Sequence, residues 1–484
     1  MSTSAKVTAR QRIENLLDDN SFVEIGAYVK ARNTDFNIQA KDTPSDGVIT
    51  GYGVINGGLV YVYSQDASVL GGSVGEMHAK KIASLYDMAM KTGSPVIGLI
   101  DSTGLRLQES VDGLNAFGQI YMKQSLASGV IPTITAIFGN CGGGLSIVAG
   151  LSDFTFMEVE NAQLFVNSPN AITENRKEIC DNASAKFQSE EAGNVDFVGT
   201  EAEVIEGIRN LVSVLPSNNE DEASDLECYD DLNRAAEGIE NCGEDTLLAL
   251  ENISDDGFII EAKRNYAPEM VTAFIKLNGA TVGAVANRTK VYDDDMNVAA
   301  EFDAKLTAKG CNKAAEFVNF CDAFNIPVLT LTNVNGFAAT MCQEKNGAKA
   351  SSKLVYAFAN ATVPKVNLII GDAIGSAYVT MNSKATGADI VYAWPTAKVG
   401  MMEAKSAVEI MYADEIASGD ANQVINEKVA EYQNLQGSVM AAAAARGYVD
   451  SIVEPVDTRK YLIGAFEMLY TKFEERPGKK HGTV

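Results

Sequence analysis

Two glycine-rich runs offer the chemistry in this sequence: Gly139-Asn140-Cys141-Gly142-Gly143-Gly144 and Gly371-Asp372-Ala373-Ile374-Gly375-Ser376-Ala377. Each follows an apolar run of strand length and precedes a helix-forming stretch. At such a junction successive backbone N–H groups can converge on one oxygen, and the unpaired amides of a helix's first turn add to the field. An oxyanion hole can be built this way without a charged side chain. The missing side chains also let a flat substrate approach the backbone, which makes Gly142 and Gly375 candidate substrate contacts. A turn needed only for packing explains either run taken alone; its recurrence favours function. Neither run is GxGxxG with a suitably placed acid, nor GxxxxGK[ST], so nucleotide sites are unsupported. A third segment, Asp101-Ser102-Thr103-Gly104-Leu105-Arg106-Leu107-Gln108-Glu109, sets polar groups just past a strand, where α/β proteins commonly bind ligands. Arg106 there either holds a phosphate or carboxylate, or pairs with Glu109 along a helix.

Other chemistries are poorly supplied. The only histidines are His78 and His481, the latter in a lysine-bearing tail, which nearly excludes a histidine-based triad or a multi-histidine metal site. The seven cysteines, Cys141, Cys180, Cys228, Cys242, Cys311, Cys321 and Cys342, form no CxxC pair. A zinc ribbon is therefore not expected, and the scattered, odd set reads as reduced thiols of a cytosolic protein. No metal is expected.

The elements that must hold these runs are duplicated. Pro95 and Pro327, Gly104 and Gly336, Pro132 and Pro364, and Gly139 and Gly371 are each separated by 232 positions. The unit is far longer than a solenoid repeat, so it reads as two copies of a domain. In each copy apolar runs follow a proline and end at glycine: Val96–Ile100 and Ile134–Phe138, then Val328–Leu331 and Val366–Ile370. Such runs suit buried strands. Helical stretches such as Leu114–Leu126 and Ser351–Ala359 lie between them, which implies an α/β architecture. Two further strand pairs turn at Asn56-Gly57 and Asn278-Gly279. The domains are placed at 1–235 and 236–484. Between them an acidic connector, roughly Ser217 to Asp256, holds eleven acidic residues and one basic residue from Glu220 to Asp245. It reads as a solvated linker with a helix or two, without the spacing of a calcium-binding loop.

Hydrophobic residues make up 46% and charged residues 21%, as in soluble globular chains. A net charge of −25 argues against nucleic-acid binding, which needs a basic face. The N-terminus lacks the apolar core of a signal peptide, and no apolar stretch is long enough to span a bilayer. A cytoplasmic protein without direct membrane insertion is expected.

The chain resembles the carboxyltransferase (β) subunit family of biotin-dependent acyl-CoA carboxylases, propionyl-CoA carboxylase and methylmalonyl-CoA carboxyltransferase being examples. The likeness rests on TARQRIENLLDDNSFVEIG from Thr8, GVITGYGVINGGLVYVYSQD from Gly47, GGSVGEMHAKKI from Gly71, DSTGLRLQE from Asp101 and SGVIPTITAIFGNCGGG from Ser128. It continues with DFTFM, YAPEMVTAFIKLNG, FCDAFNIPVLTLTNVNGF, ANATVPKV, GADIVYAWP, VDTRKYL and KKHG. The resemblance implies two tandem crotonase-like domains of ββα units and a homohexamer built as a ring of dimers, with each active site at a dimer interface. It puts the coenzyme A ester on the N-terminal half of one subunit and biotin on the C-terminal half of its partner. Biotin would belong to a separate biotin carboxyl carrier protein, with a biotin carboxylase subunit as a further partner; Ala89-Met90-Lys91 is not read as an attachment site. By motif matching, the N–H groups of Gly143 and Gly144 hold the thioester oxygen, and those of Ser376 and Ala377 hold the biotin ureido oxygen. Gly336, Phe337 and Val379 fall among the substrate contacts, with Gly104 and Arg106. Charge builds on two oxygens during the transfer, so no side-chain base is required, which suits the scarcity of histidine.

The chain departs from the family mainly in its second half. Asp372 replaces a usual lysine, Ser376 a usual glycine, and Val379 the aspartate of typical propionyl enzymes. Asn335-Gly336-Phe337-Ala338-Ala339-Thr340 stands for PGFLPG, and 347–353 lacks a usual histidine. The expected activity is carboxyl transfer between biotin and propionyl- or methylmalonyl-CoA. The alternatives are the α subunit of a biotin-dependent methylmalonyl- or glutaconyl-CoA decarboxylase coupled to a sodium pump, a non-catalytic assembly subunit, and a stand-alone hydratase.

Overall fold

A computed structural model describes residues 7–34, 42–172, 181–221, 228–293, 295–436 and 439–476. Cys180, His481, the KKHG motif and 222–227 of the acidic connector lie outside them. The chain divides into two compact units, residues 1–224 and 225–484.

The first unit opens with helix α1 (Ala9–Leu16), whose Thr8 and Gln11 form a reciprocal capping box. Strands β1 (Val23–Ile25), β2 (Val48–Ile55) and β3 (Gly58–Gln65) follow. The β2–β3 turn has positive φ at both Asn56 and Gly57, 49° and 84°, which matches the right-handed twist of the paired strands. Helix α2 (Glu76–Thr92) buries Ala79, Ile82, Ala83, Tyr86 and Ala89, one face at helical spacing, and stops at Gly93 in the left-handed region. Then come β4 (Val96–Ile100), α3 (Ser110–Ala127), β5 (Thr133–Ile137), β6 (Asn140–Gly142), α4 (Gly144–Gly150), β7 (Phe154–Glu158), β8 (Gln163–Phe165), β9 (Phe197–Gly199) and α5 (Glu201–Val212). The sheet runs β1-β2-β3-β4-β5-β7-β9, antiparallel as far as β3 and parallel beyond. Strands β4 and β5 are buried throughout, so their side chains read as continuous apolar runs rather than an alternation.

The second unit repeats this plan. Helix α6 (Thr246–Ile253) precedes β10 (Ile259–Ala262), β11 (Met270–Leu277) and β12 (Ala280–Asn287). A small ribbon, β13 (Lys290–Tyr292) and β14 (Val298–Glu301), leads to α7 (Ala308–Ala323), β15 (Val328–Asn335), α8 (Met341–Asn360), β16 (Lys365–Ile374), α9 (Gly375–Thr380), β17 (Ile390–Ala393) and β18 (Lys398–Gly400). A helical excursion, α10 (Ala404–Met411), α11 (Ala413–Ser418), α12 (Ala421–Gln436) and α13 (Val439–Ala442), precedes β19 (Ser451–Ile452) and α14 (Thr458–Leu469). The main sheet runs β10-β11-β12-β15-β16-β17-β19. The architecture is α/β, two tandem crotonase-like domains.

The duplication extends to individual hydrogen bonds. Asp18 accepts from the N–H groups of Asn56 and Gly57, and Asp255 accepts from those of Asn278 and Gly279. Arg209 ties that aspartate to the end of α1 through Leu16 O; Arg459 does the same through Ile253 O at the end of α6. Lys81 and Lys313, 232 positions apart, each satisfy loop carbonyls with a buried ammonium. These clasps hold α1, α5, α6 and α14 against the hairpins and leave the strand ends free for other work.

Candidate active site

In the first unit the strand-end loop after β4 meets the glycine turn after β5. A Cβ placed on Gly104 would lie 3.5 Å from the Gly142 carbonyl oxygen. Gly104 has φ 91°, and its neighbour Leu105 bridges to Val74. Gly139 passes so close to Asp101 that a Cβ would fall 2.1 Å from the carboxylate, so a side chain there would break the junction of the two strands. Gly143 has φ 61° and ψ −130°, a conformation open in practice only to glycine. It turns the chain so that α4 begins at Gly144.

Which amides are free is decided by the neighbours. The N–H of Gly143 donates to Phe165 O at 2.9 Å, so it is not available to a substrate. This corrects the expectation that Gly143 supplies a donor; its part is conformational. Gly144 and Leu145 occupy the first two positions of α4, where a helix has no internal acceptor to offer. No acceptor faces their N–H groups among the described residues. Tyr121 Oη donates to Gly144 O at 2.6 Å and fixes the turn from behind.

Arg106 is a second correction. Its side chain is 1% exposed and cannot meet a substrate phosphate. The guanidinium donates to Asp46 Oδ1 at 2.6 Å, Glu109 Oε1 at 2.9 Å and Ser73 O at 2.6 Å. The same carboxylates also cap α2: Glu76 N–H donates to Glu109 and His78 N–H to Asp46. Arg106 therefore locks the loop that carries Gly104 to the start of α2. Burial pushes the Asp46 carboxyl up, opposed by the Arg106 charge beside it.

The second unit places its equivalents alike. Gly336 has φ 83° and Gly375 φ 71°, and Phe337 bridges to Leu306 as Leu105 does to Val74. The 15–16 strand register sets Asn335 beside Ile374, the residue that caps α9. Gly371 hugs Asn333 as Gly139 hugs Asp101. Ser376 and Ala377 stand in the first turn of α9 with no side-chain cap and no acceptor among the described residues. At the 232-residue offset they correspond to Gly144 and Leu145, so the two turns present the same pair of amides. The contact behind each turn is exchanged. Gly142 lies under the Phe165 ring, whereas Ile374 pairs with Gly400. Val379 is 43% exposed on α9, where the first unit exposes Ile147 at 47%.

The Cys141 thiol and the Tyr378 phenol beside the turns are poor acids at neutral pH. Burial raises the Cys141 thiol far above its ordinary range and pushes the Tyr378 phenol up to about 12. Among the described residues no cluster of three histidine, cysteine or acidic side chains could hold a metal, and no helix is long and apolar enough to cross a membrane. Each turn presents free backbone amides, which suit an oxygen that gains negative charge.

Known proteins resemble the chain over nearly its whole length. The carboxyl transferase domain family matches residues 2–484. The chain is 39% identical to the methylmalonyl-CoA decarboxylase subunit alpha of Propionigenium modestum, covering 99% of this chain and 93% of the relative. It is 41% identical to a putative propionyl-CoA carboxylase beta chain of Bacillus subtilis, covering 99% and 94%. The transcarboxylase 12S structure, solved with methylmalonyl-coenzyme A and methylmalonic acid bound and described as a hexamer assembly, matches with a TM-score of 0.91 at 38% identity, over 98% of this chain and 91% of that one. With the match running through both glycine turns and nearly every residue between the termini, the chain belongs to the carboxyl transferase domain family, as a biotin-dependent acyl-CoA carboxyltransferase.

Proposed function

We propose that this chain is the subunit that moves a carboxyl group between biotin, borne by a separate carrier protein, and propionyl-CoA or methylmalonyl-CoA. The observation that carries the reading is the pair of matching turns, each offering two unclaimed backbone amides at the start of a helix. Gly144 and Leu145 hold the thioester oxygen as the acyl group becomes an enolate. Ser376 and Ala377 hold the ureido oxygen of biotin, which supplies the nitrogen that carries the carboxyl group. The cradle fits that group: Ser376 is exposed, Gly375 has no side chain, and the two N–H groups lack an acceptor. Gly104, Gly142, Gly336, Phe337 and Val379 line the approaches, and Val379 sets an apolar wall for the acyl chain.

The N-terminal unit of one subunit serves the C-terminal unit of another, in a homohexamer working with a biotin carboxyl carrier protein and a biotin carboxylase in the cytoplasm. The exposed apolar face of α3, with Val111, Leu114, Met122 and Leu126, and Leu107 just before it, supports burial against a second copy.

The test is turnover of methylmalonyl-CoA by the purified chain with free biotin. Ser376→Pro deletes one N–H in a helix's first turn, where proline is tolerated, and lowers kcat by ~10²–10³. Ser376→Ala keeps the amide and retains activity. Equal activity in the proline variant would reject the second cradle.

A further inference from the structure

The two strand-end loops differ in where they keep their positive charge. In the first unit the cation is Arg106, buried and neutralised by Asp46 and Glu109. At the 232-residue offset Arg106 becomes Ala338 and Ser73, which accepts from Arg106 Nε, becomes Lys305. The loop of the second unit thus has no guanidinium of its own and gains an ammonium at its edge. Lys305 is half-buried, and its Nζ donates to Asn335 O. It is placed by a short ladder: Asn335 N–H donates to Ala304 O at 2.6 Å, Leu306 N–H to Gly336 O at 3.0 Å and Ala338 N–H to Leu306 O at 2.9 Å.

An ammonium has three protons, and Asn335 O takes one. Among the described residues no carboxylate pairs with Lys305, whereas Lys263 and Lys290 each pair with a glutamate. Its direction is informative too. A Cβ on Gly336 would find Lys305 Nζ at 3.6 Å and no other atom within 4 Å. The ammonium therefore borders the open space over Gly336. Asn335 is in register with Ile374, so that space lies one strand spacing, ~4.8 Å, from the chain that leads into Ser376 and Ala377.

We propose that Lys305 receives the transferable carboxylate of the ligand held by the second unit. The inference rests on the reading that this unit takes biotin. Ser376 and Ala377 hold the ureido oxygen, and Lys305 recognises the negative charge on the adjacent nitrogen substituent. It separates the carboxylated ligand from the bare one by a charge-assisted hydrogen bond.

Binding measured by calorimetry on the full chain tests this. The probes are biotin amide, which is neutral, and its N1′-carboxymethyl derivative, whose only anion is on the ureido nitrogen. The wild type binds the anionic probe more tightly. Lys305→Gln weakens that probe by ~10-fold and leaves biotin amide unchanged, and Lys305→Arg stays within ~3-fold of wild type. Equal affinities of the Gln variant and wild type for the anionic probe would overturn the role of Lys305 alone. Loss of affinity for coenzyme A instead would also overturn it. Failure of the wild type to bind either probe would remove the biotin assignment of this unit, and the inference with it.

Discussion

Gly143 shows what a single residue contributes and what a sequence can say about it. Its glycine-only backbone angles make Gly143→Ala a strained variant, costing ~1–3 kcal/mol at the turn. Thermal melting should fall modestly while turnover falls much further, because the strain is released by moving Gly144. The glycine pattern is legible in the sequence; the identity of the free amides is not. A carbonyl 22 residues away, Phe165 O, claims Gly143 and shifts the donor pair by one position. The duplication held the needed signal, since Ser376 and Ala377 align with Gly144 and Leu145. His78 makes a different point at this scale. It is buried, with Nδ1 3.0 Å from Asp46 O and Nε2 3.1 Å from Gln65 Nε2, and burial lowers its pKa from 6.5 to about 3. The folded state binds fewer protons than the unfolded one between those values. Its stabilising effect is full above pH 6.5 and is lost as pH falls towards 3. The urea midpoint should drop between pH 7 and 5 in the wild type and drop less in His78→Gln. A parallel decline in both would show that His78 is not the group responsible.

Among the elements, the loop from Asp101 to Glu109 depends on an ionic cluster that composition alone leaves ambiguous. Arg106 and Glu109 are indeed paired, but in the interior rather than at a helix surface, and Asp46 joins from 60 residues away. That long-range partner is what local spacing cannot reveal. Removing one member leaves the others buried and uncompensated. Arg106→Met is expected to destabilise the first unit by ~3–5 kcal/mol, measured by urea unfolding. A conservative Arg106→Lys keeps the charge but not the fork, and should fall between the two. Strands and hairpin turns were far easier to read, since buried parallel strands write themselves as unbroken apolar runs and Asn-Gly fixes a two-residue turn. Helix ends were harder: α8 starts at Met341, ten residues before the apolar periodicity of 351–359 begins, because its Thr340 cap and first turns face outward.

For the whole molecule, the proposed function asks two compact units with equivalent turns to serve one reaction. The apolar face of α3 bears on that demand. Leu114→Lys should shift the mass seen by light scattering to smaller species and lower carboxyl transfer in step, while circular dichroism stays unchanged. Unchanged mass would separate that face from assembly. Duplication was readable from landmarks that repeat at one offset in the middle of each half, and the family from the resemblance of motifs spread along the chain. Intersubunit geometry is not written that way, since it depends on surfaces whose partners lie elsewhere. The proposed reliance on main-chain donors has a consequence for inheritance. Every residue but proline carries the same amide, so most codon changes at positions such as 376 leave the working atom in place. A lineage can then exchange more than half of its side chains and still pass on the reaction, because what selection must guard is the path of the backbone.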